Sequence, residues 1–128
     1  MIICITGTYG NTSLTHRILY NHFSILHKPT ILTTIYKENG YTVADIPPEQ
    51  PPIKCDILIL TCQKQKDVAH IATKWLGYHK KIIVALVNTH KEVPILCPAE
   101  FLVSVDNMAN EGIHTILRLI HINKTNTL

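Results

Sequence analysis

The chain opens on Met1-Ile2-Ile3-Cys4-Ile5, an unbroken apolar run closed by Thr6 and Gly7. A short run with no polar alternation predicts a strand covered on both faces, as parallel strands are. After a brief turn the period changes. Leu14, Ile18, Leu19, Phe23, Ile25 and Leu26 recur at roughly helical spacing, which predicts a helix over 13–26 with Asn11, Thr12 and Ser13 available to cap its start. Two β-rich runs, 31–37 and 41–45, then flank Glu38-Asn39-Gly40. Asn-Gly readily takes the positive φ angles of a tight hairpin, so these runs are expected to pair antiparallel. Pro47, Pro48, Pro51 and Pro52 remove backbone donors and fix φ, which makes 46–54 an extended loop and not a helix.

The second half repeats the alternation. Residues 56–61 form another continuously apolar strand, and Val68, Ile71, Ala72, Trp75 and Leu76 mark the inner face of a helix ending near Gly77. Trp75 is assigned to the core on this spacing. Residues 81–88 give a third buried strand, Phe101 to Val105 a shorter one, and Ile113, Ile116, Leu117 and Ile120 one face of a closing helix. Strands alternating with helices predict an α/β fold: a mostly parallel sheet with helices on both faces and one antiparallel hairpin strand. A length of 128 residues supplies one ordinary core, so 1–128 is read as a single small domain.

Composition narrows the function classes. The formal net charge of +3 is spread along the chain without a basic stripe, which argues against a nucleic-acid partner. The eight histidines lack metal-ligand spacing and are assigned mostly to helix surfaces, with no metal site expected. Cys4, Cys55, Cys62 and Cys97 form no Cys-x-x-Cys pair and read as core or strand-end thiols of a reducing compartment. The opening residues already have the pattern of a core strand, so no leader is expected, and no apolar run has the length of a membrane span. A cytoplasmic location is the resulting expectation.

The order of features carries more. Ile2 to Thr15, Ile-Ile-Cys-Ile-Thr-Gly-Thr-Tyr-Gly-Asn-Thr-Ser-Leu-Thr, resembles the opening of a Ras-like small GTPase, where a strand enters a Gly-rich phosphate loop and then Gly-Lys-Thr-Ser-Leu-Thr. Gly7, Gly10, Thr12 and Ser13 follow that pattern, and Asn11 stands where the family has lysine. The resemblance continues past the Asn-Gly hairpin to Asp45-Ile46-Pro47-Pro48, in the place of Asp-x-x-Gly. Asn88-Thr89-His90-Lys91 then occupies the place of Asn-Lys-x-Asp, and Ser104 to Ile113 that of the last strand and guanine-side loop. It covers nearly the whole chain and implies the three-layer phosphate-loop NTPase fold. The short length and the missing helix after the hairpin bring it nearest the compact GTPases of the ethanolamine and propanediol utilisation proteins.

Each departure from that pattern removes chemistry. A phosphate loop wraps backbone N–H groups around the β-phosphate and adds a lysine cation. Between Gly7 and Asn11 the loop is about two residues shorter than the Gly-x-x-x-x-Gly-Lys spacing, and Asn11 brings a dipole without charge. Pro48 has no N–H to give a γ-phosphate and cannot flex as the family's glycine does. Lys91 offers only donors where guanine needs an acceptor. Glu49-Gln50 reads as a polar pair in a loop, so no catalytic residue is assigned. By the resemblance Thr12 would be the hydroxyl that ligates magnesium and Asp45 the carboxylate behind it. Both also have plain structural readings, Thr12 as a helix cap and Asp45 as a strand-end residue.

Three functions follow. The first is a pseudo-GTPase, without cofactor or hydrolysis, that acts as a protein-interaction module. Its expected contact surface is the proline loop of Pro47, Pro48, Pro51 and Pro52, and its partners are proteins, a second copy included. The second is an atypical nucleotide binder that uses magnesium and a nucleotide through Gly7, Gly10, Thr12 and Asp45. The third is a flavodoxin-like or phosphotransferase-type phosphate-loop domain. Its phosphotransferase form wants a cysteine at the head of the loop, whereas Cys4 lies inside the strand.

Overall fold

A computed structural model describes residues 1–20, 32–38, 40–63, 68–87, 101–105 and 112–126. Its elements follow in the order β1 (Ile2–Gly7), α1 (Asn11–Tyr20), β2 (Thr34–Glu38), β3 (Tyr41–Asp45), β4 (Ile57–Cys62), α2 (Ala69–Lys74), β5 (Lys81–Val87), β6 (Phe101–Val105) and α3 (Ile113–Asn126). The six strands form one sheet in the order β2-β3-β1-β4-β5-β6. Only β2 and β3 run antiparallel. Their register pairs Glu38 with Tyr41, leaving a two-residue turn in which Gly40 has φ +82°. This is the geometry that Asn-Gly favours in a hairpin.

Alternation along the central strands divides the core between the two faces of the sheet. Ile3, Ile5, Ile57, Ile59 and Ile83 pack beneath α1 and α3, against Leu14, Ile18, Ile113, Ile116 and Ile120. Their neighbours Cys4, Leu58, Leu60 and Val84 face the other way, against Ile71, Ala72 and Trp75 of α2 and the turn that follows it. Strands buried on both faces need a continuous apolar sequence, which is why β1 and β4 show no alternation. Cys4, Cys55 and Cys62 are buried free thiols within this packing. The Cys4 thiol is pushed far above its ordinary range by its hydrogen bond to Cys55 and by burial.

Three expectations change. Helix α1 starts at Asn11 instead of Ser13, because Gly10 at φ +79° turns the chain so that its carbonyl accepts from the Leu14 N–H at 2.9 Å. Its expected continuation to Leu26 lies outside the described residues. Helix α2 stops at Lys74, and the chain tightens through Leu76 N–H to Thr73 O at 3.3 Å. Leu76 therefore leaves the helical phase and is 59 % exposed, not packed inward. Residues 46–56 contain no helix, as the prolines require, yet the loop is only partly exposed. Pro47 is buried, Pro48 and Pro52 are half-buried, and Pro51 alone of the four prolines is exposed. Among the described residues, no helix is long and apolar enough to cross a membrane.

Candidate functional site

The C-terminal ends of β1 and β3 and the start of α1 meet at one point. Open parallel sheets commonly bind ligands outside their strand ends, so this is where chemistry is expected. Gly7 ends β1 hard against β4. A side chain there would collide with the Thr61 carbonyl and hydroxyl, so the close approach of the two strands requires glycine. The next N–H, from Thr8, donates to the same Thr61 carbonyl at 2.9 Å. Only Thr8, Tyr9 and Gly10 separate the strand from the helix.

That turn delivers Thr12 to Asp45. The Thr12 hydroxyl donates to Asp45 Oδ2 at 2.8 Å, joining residues 33 positions apart in a buried hydrogen bond. Asp45 is wholly buried at the end of β3, and Thr12 lies in the first turn of α1. Thr12 is thus not the helix cap: its oxygen serves the carboxylate, and Gly10 starts the helix. A buried carboxylate is tolerable only where donors surround it. Tyr36 registers the local field: its hydroxyl is pushed above its usual range by burial first, then by the Asp45 charge and Tyr20.

Beyond Asp45 the chain stays attached to the sheet. The Ile46 N–H donates to the Ile5 carbonyl at 2.8 Å, extending strand pairing past β3 and carrying Pro47 into contact with the interior. A turn follows, closed by Gln50 N–H to Pro47 O at 3.0 Å. Lys74, from the last turn of α2, donates through Nζ to the carbonyls of Pro48 at 3.0 Å and Gln50 at 2.8 Å. One ammonium thus latches the turn that follows β3. Nothing in the sequence marked Lys74, since a long side chain reaching two carbonyls leaves no periodic signal. Thr61, which faces Gly7, was equally hidden inside an apolar strand.

The structure brings together Gly7, Gly10, Thr12 and Asp45, with Pro48 in the latched turn beyond. Ser13 is half-buried in the same helical turn, and Asn11 contributes the first residue of α1. Asn88 and Lys91 lie outside the described residues. Among the described residues, no three His, Cys, Asp or Glu side chains gather to hold a metal ion. One hydroxyl and one carboxylate suit a magnesium ion that takes its remaining oxygens from phosphates and water. The phosphate seat fits less well, because the turn is short and the Thr8 N–H is already committed to Thr61.

Neither a protein-family model nor a curated protein matches the sequence. Among solved structures, the chain is similar to Methanosarcina barkeri Roco2 RocCORdC bound to GDP, at a TM-score of 0.67 and 13 % identity. The superposition covers 94 % of this chain and 47 % of that one, so this chain spans about half the length of its structural neighbour. At this identity the likeness is one of fold. Strand order, the hairpin edge, helices on both faces and this neighbour together establish a GTPase-like α/β fold.

Proposed function

We propose that this protein is a pseudo-GTPase: it keeps the GTPase-like scaffold as a protein-interaction module and neither binds nor hydrolyses nucleotide. The observation that carries this reading is the turn after β1. It is three residues long, and its first N–H is donated to Thr61 instead of being left for a phosphate. A diphosphate is normally held by several convergent N–H groups together with a lysine. Asn11, in the lysine position, supplies no charge. Pro48 and the Lys74 latch add that the following loop is not built to respond to a γ-phosphate. The test is to denature the purified full chain and analyse the supernatant chromatographically. Absence of released guanine or adenine nucleotide is expected, and stoichiometric nucleotide would overturn the reading.

One observation favours a second reading. The Thr12 and Asp45 pair offers a hydroxyl and a carboxylate of the kind the metal side of a magnesium-nucleotide site uses, and an atypical nucleotide binder would draw on it. Such a protein would show a magnesium-dependent rise in melting temperature with GTP or GDP. The pseudo-GTPase predicts no such shift.

A further inference from the structure

Two of the buried thiols touch. Cys4 lies on β1 and Cys55 in the chain entering β4, and their side chains share a hydrogen bond in the core layer on the α2 side of the sheet. Backbone pairing holds both in place. Asp56 N–H donates to Ile2 O at 2.9 Å and Cys55 N–H to Tyr78 O at 2.8 Å, while Cys4 is paired with Ala44 of β3 and Leu58 of β4. Cys62 is a free thiol of the same layer, but it stands four residues beyond Leu58 along β4. At about 3.3 Å per residue that is roughly 13 Å from the level of Cys4, well past the Cα separation of about 7 Å that a disulfide spans.

The two touching sulfurs are not equivalent. Cys4 is wholly enclosed, whereas Cys55 keeps 8 % of its surface and lines a cavity of about 250 Å³ that opens between Ile2 and Tyr78. Cys4 holds its proton: the hydrogen bond to Cys55, burial and the charge of an ionised Cys55 all act to keep it there. That leaves Cys55 to become the thiolate, which is the form that reacts, and puts it on the side reached from outside. A reachable thiol backed by a second in contact oxidises reversibly, because the neighbour converts a sulfenic acid to a disulfide before it oxidises further.

We propose that Cys55 and Cys4 form a peroxide-reactive pair, in which a small hydroperoxide oxidises Cys55 through the cavity and Cys4 then closes a disulfide onto it. In the first step the Cys55 thiolate attacks the terminal peroxide oxygen. An S–O bond forms, the O–O bond breaks, and the departing alkoxide or hydroxide takes up the proton that Cys55 released. In the second step the Cys4 sulfur attacks the Cys55 sulfur. The S–S bond forms, the S–O bond breaks, and hydroxide leaves as water with the Cys4 proton. The two thiols lose two electrons and two protons, and the hydroperoxide is reduced to its alcohol, or to water, with one further water. The pair uses nothing from Thr12 or Asp45, so this inference stands apart from the nucleotide reading.

The test is to treat the reduced, folded full chain with a small molar excess of hydrogen peroxide, block the remaining thiols with N-ethylmaleimide and map the linked peptides by mass spectrometry. A loss of two of the four free thiols in a Cys4–Cys55 link is expected, at a yield independent of protein concentration and reversed by dithiothreitol. The preference for that link should vanish when the chain is unfolded in urea before treatment. With dimedone present, Cys4→Ala should carry the adduct on Cys55, and Cys55→Ala should carry none on Cys4. Four free thiols after treatment, a link to Cys62 or Cys97 in place of this one, or Cys55 driven to sulfinic or sulfonic acid without a link overturns the proposal. The wild-type map decides between these outcomes even where a variant fails to fold.

Discussion

Replacing Thr12 with valine removes one hydroxyl of nearly the same shape and leaves Asp45 short of a donor in a site with no solvent. The hydroxyl donates to Oδ2 at 2.8 Å, and Asp45 is wholly buried. Hydrogen bonds to charged groups contribute about 1.5–3 kcal/mol, and a buried acceptor stripped of its donor keeps its desolvation cost. Thr12→Val should therefore lower the unfolding free energy by about 2 kcal/mol, a sizeable part of the roughly 5–15 kcal/mol of an ordinary domain. For a chain of this size that is a fall in melting temperature of about 5–12 °C. The assay is urea unfolding followed by Trp75 fluorescence, run as a double-mutant cycle with Asp45→Asn. The cycle should return a coupling of about 1 kcal/mol or more between the positions. A Thr12→Val loss below about 0.5 kcal/mol, with no coupling, would refute the view that Thr12 holds this carboxylate.

Gly7→Ala should be far more damaging than a surface change, by about 3 kcal/mol or more, because its methyl would strike the Thr61 backbone where β1 meets β4; a mutant melting like the wild type contradicts that close approach. Lys74→Ala should speed hydrogen exchange at the Gln50 amide while leaving core amides of β1 and β4 protected, and unchanged exchange there would show that the latch restrains nothing. The His79 pKa is lowered by burial, so the folded state binds fewer protons than the unfolded one just below the usual histidine range. Stability should accordingly fall as pH drops through about 6.5, and His79→Gln should remove that slope. Asp56 is lowered chiefly by the Ile2 N–H, so its contribution is present above the unfolded carboxylate pKa and lost as pH falls below about 4; Asp56→Asn should abolish this second acid step.

The fold was legible because each of its decisions is local. Continuous apolar runs gave β1, β4 and β5, the Asn-Gly pair gave the antiparallel edge, and the prolines forbade a helix between β3 and β4. What escaped depends on turn geometry and on groups distant in sequence. The start of α1 is set by the positive φ of Gly10, which frees Thr12 for a partner 33 residues away. The order of motifs suggested a shared role for Thr12 and Asp45, but periodicity could not show them in contact. Leu76 looked like a core position because the helical period was carried one turn too far, past the point where α2 ends at Lys74. Pro47 looked exposed because prolines mark loops, whereas the Ile46 hydrogen bond to Ile5 draws it inward. The cavity between Ile2 and Tyr78 joins three separate stretches of chain, and no window of sequence contains it.

Titration calorimetry of the nucleotide-free full chain with magnesium-GTP reads out whether the turn after β1 accepts a phosphate chain. No binding heat is expected up to millimolar nucleotide, with wild type and Asp45→Asn indistinguishable. Saturable binding at micromolar or tighter affinity that is lost in Asp45→Asn would contradict it, and would make the Thr12 and Asp45 pair a working metal site.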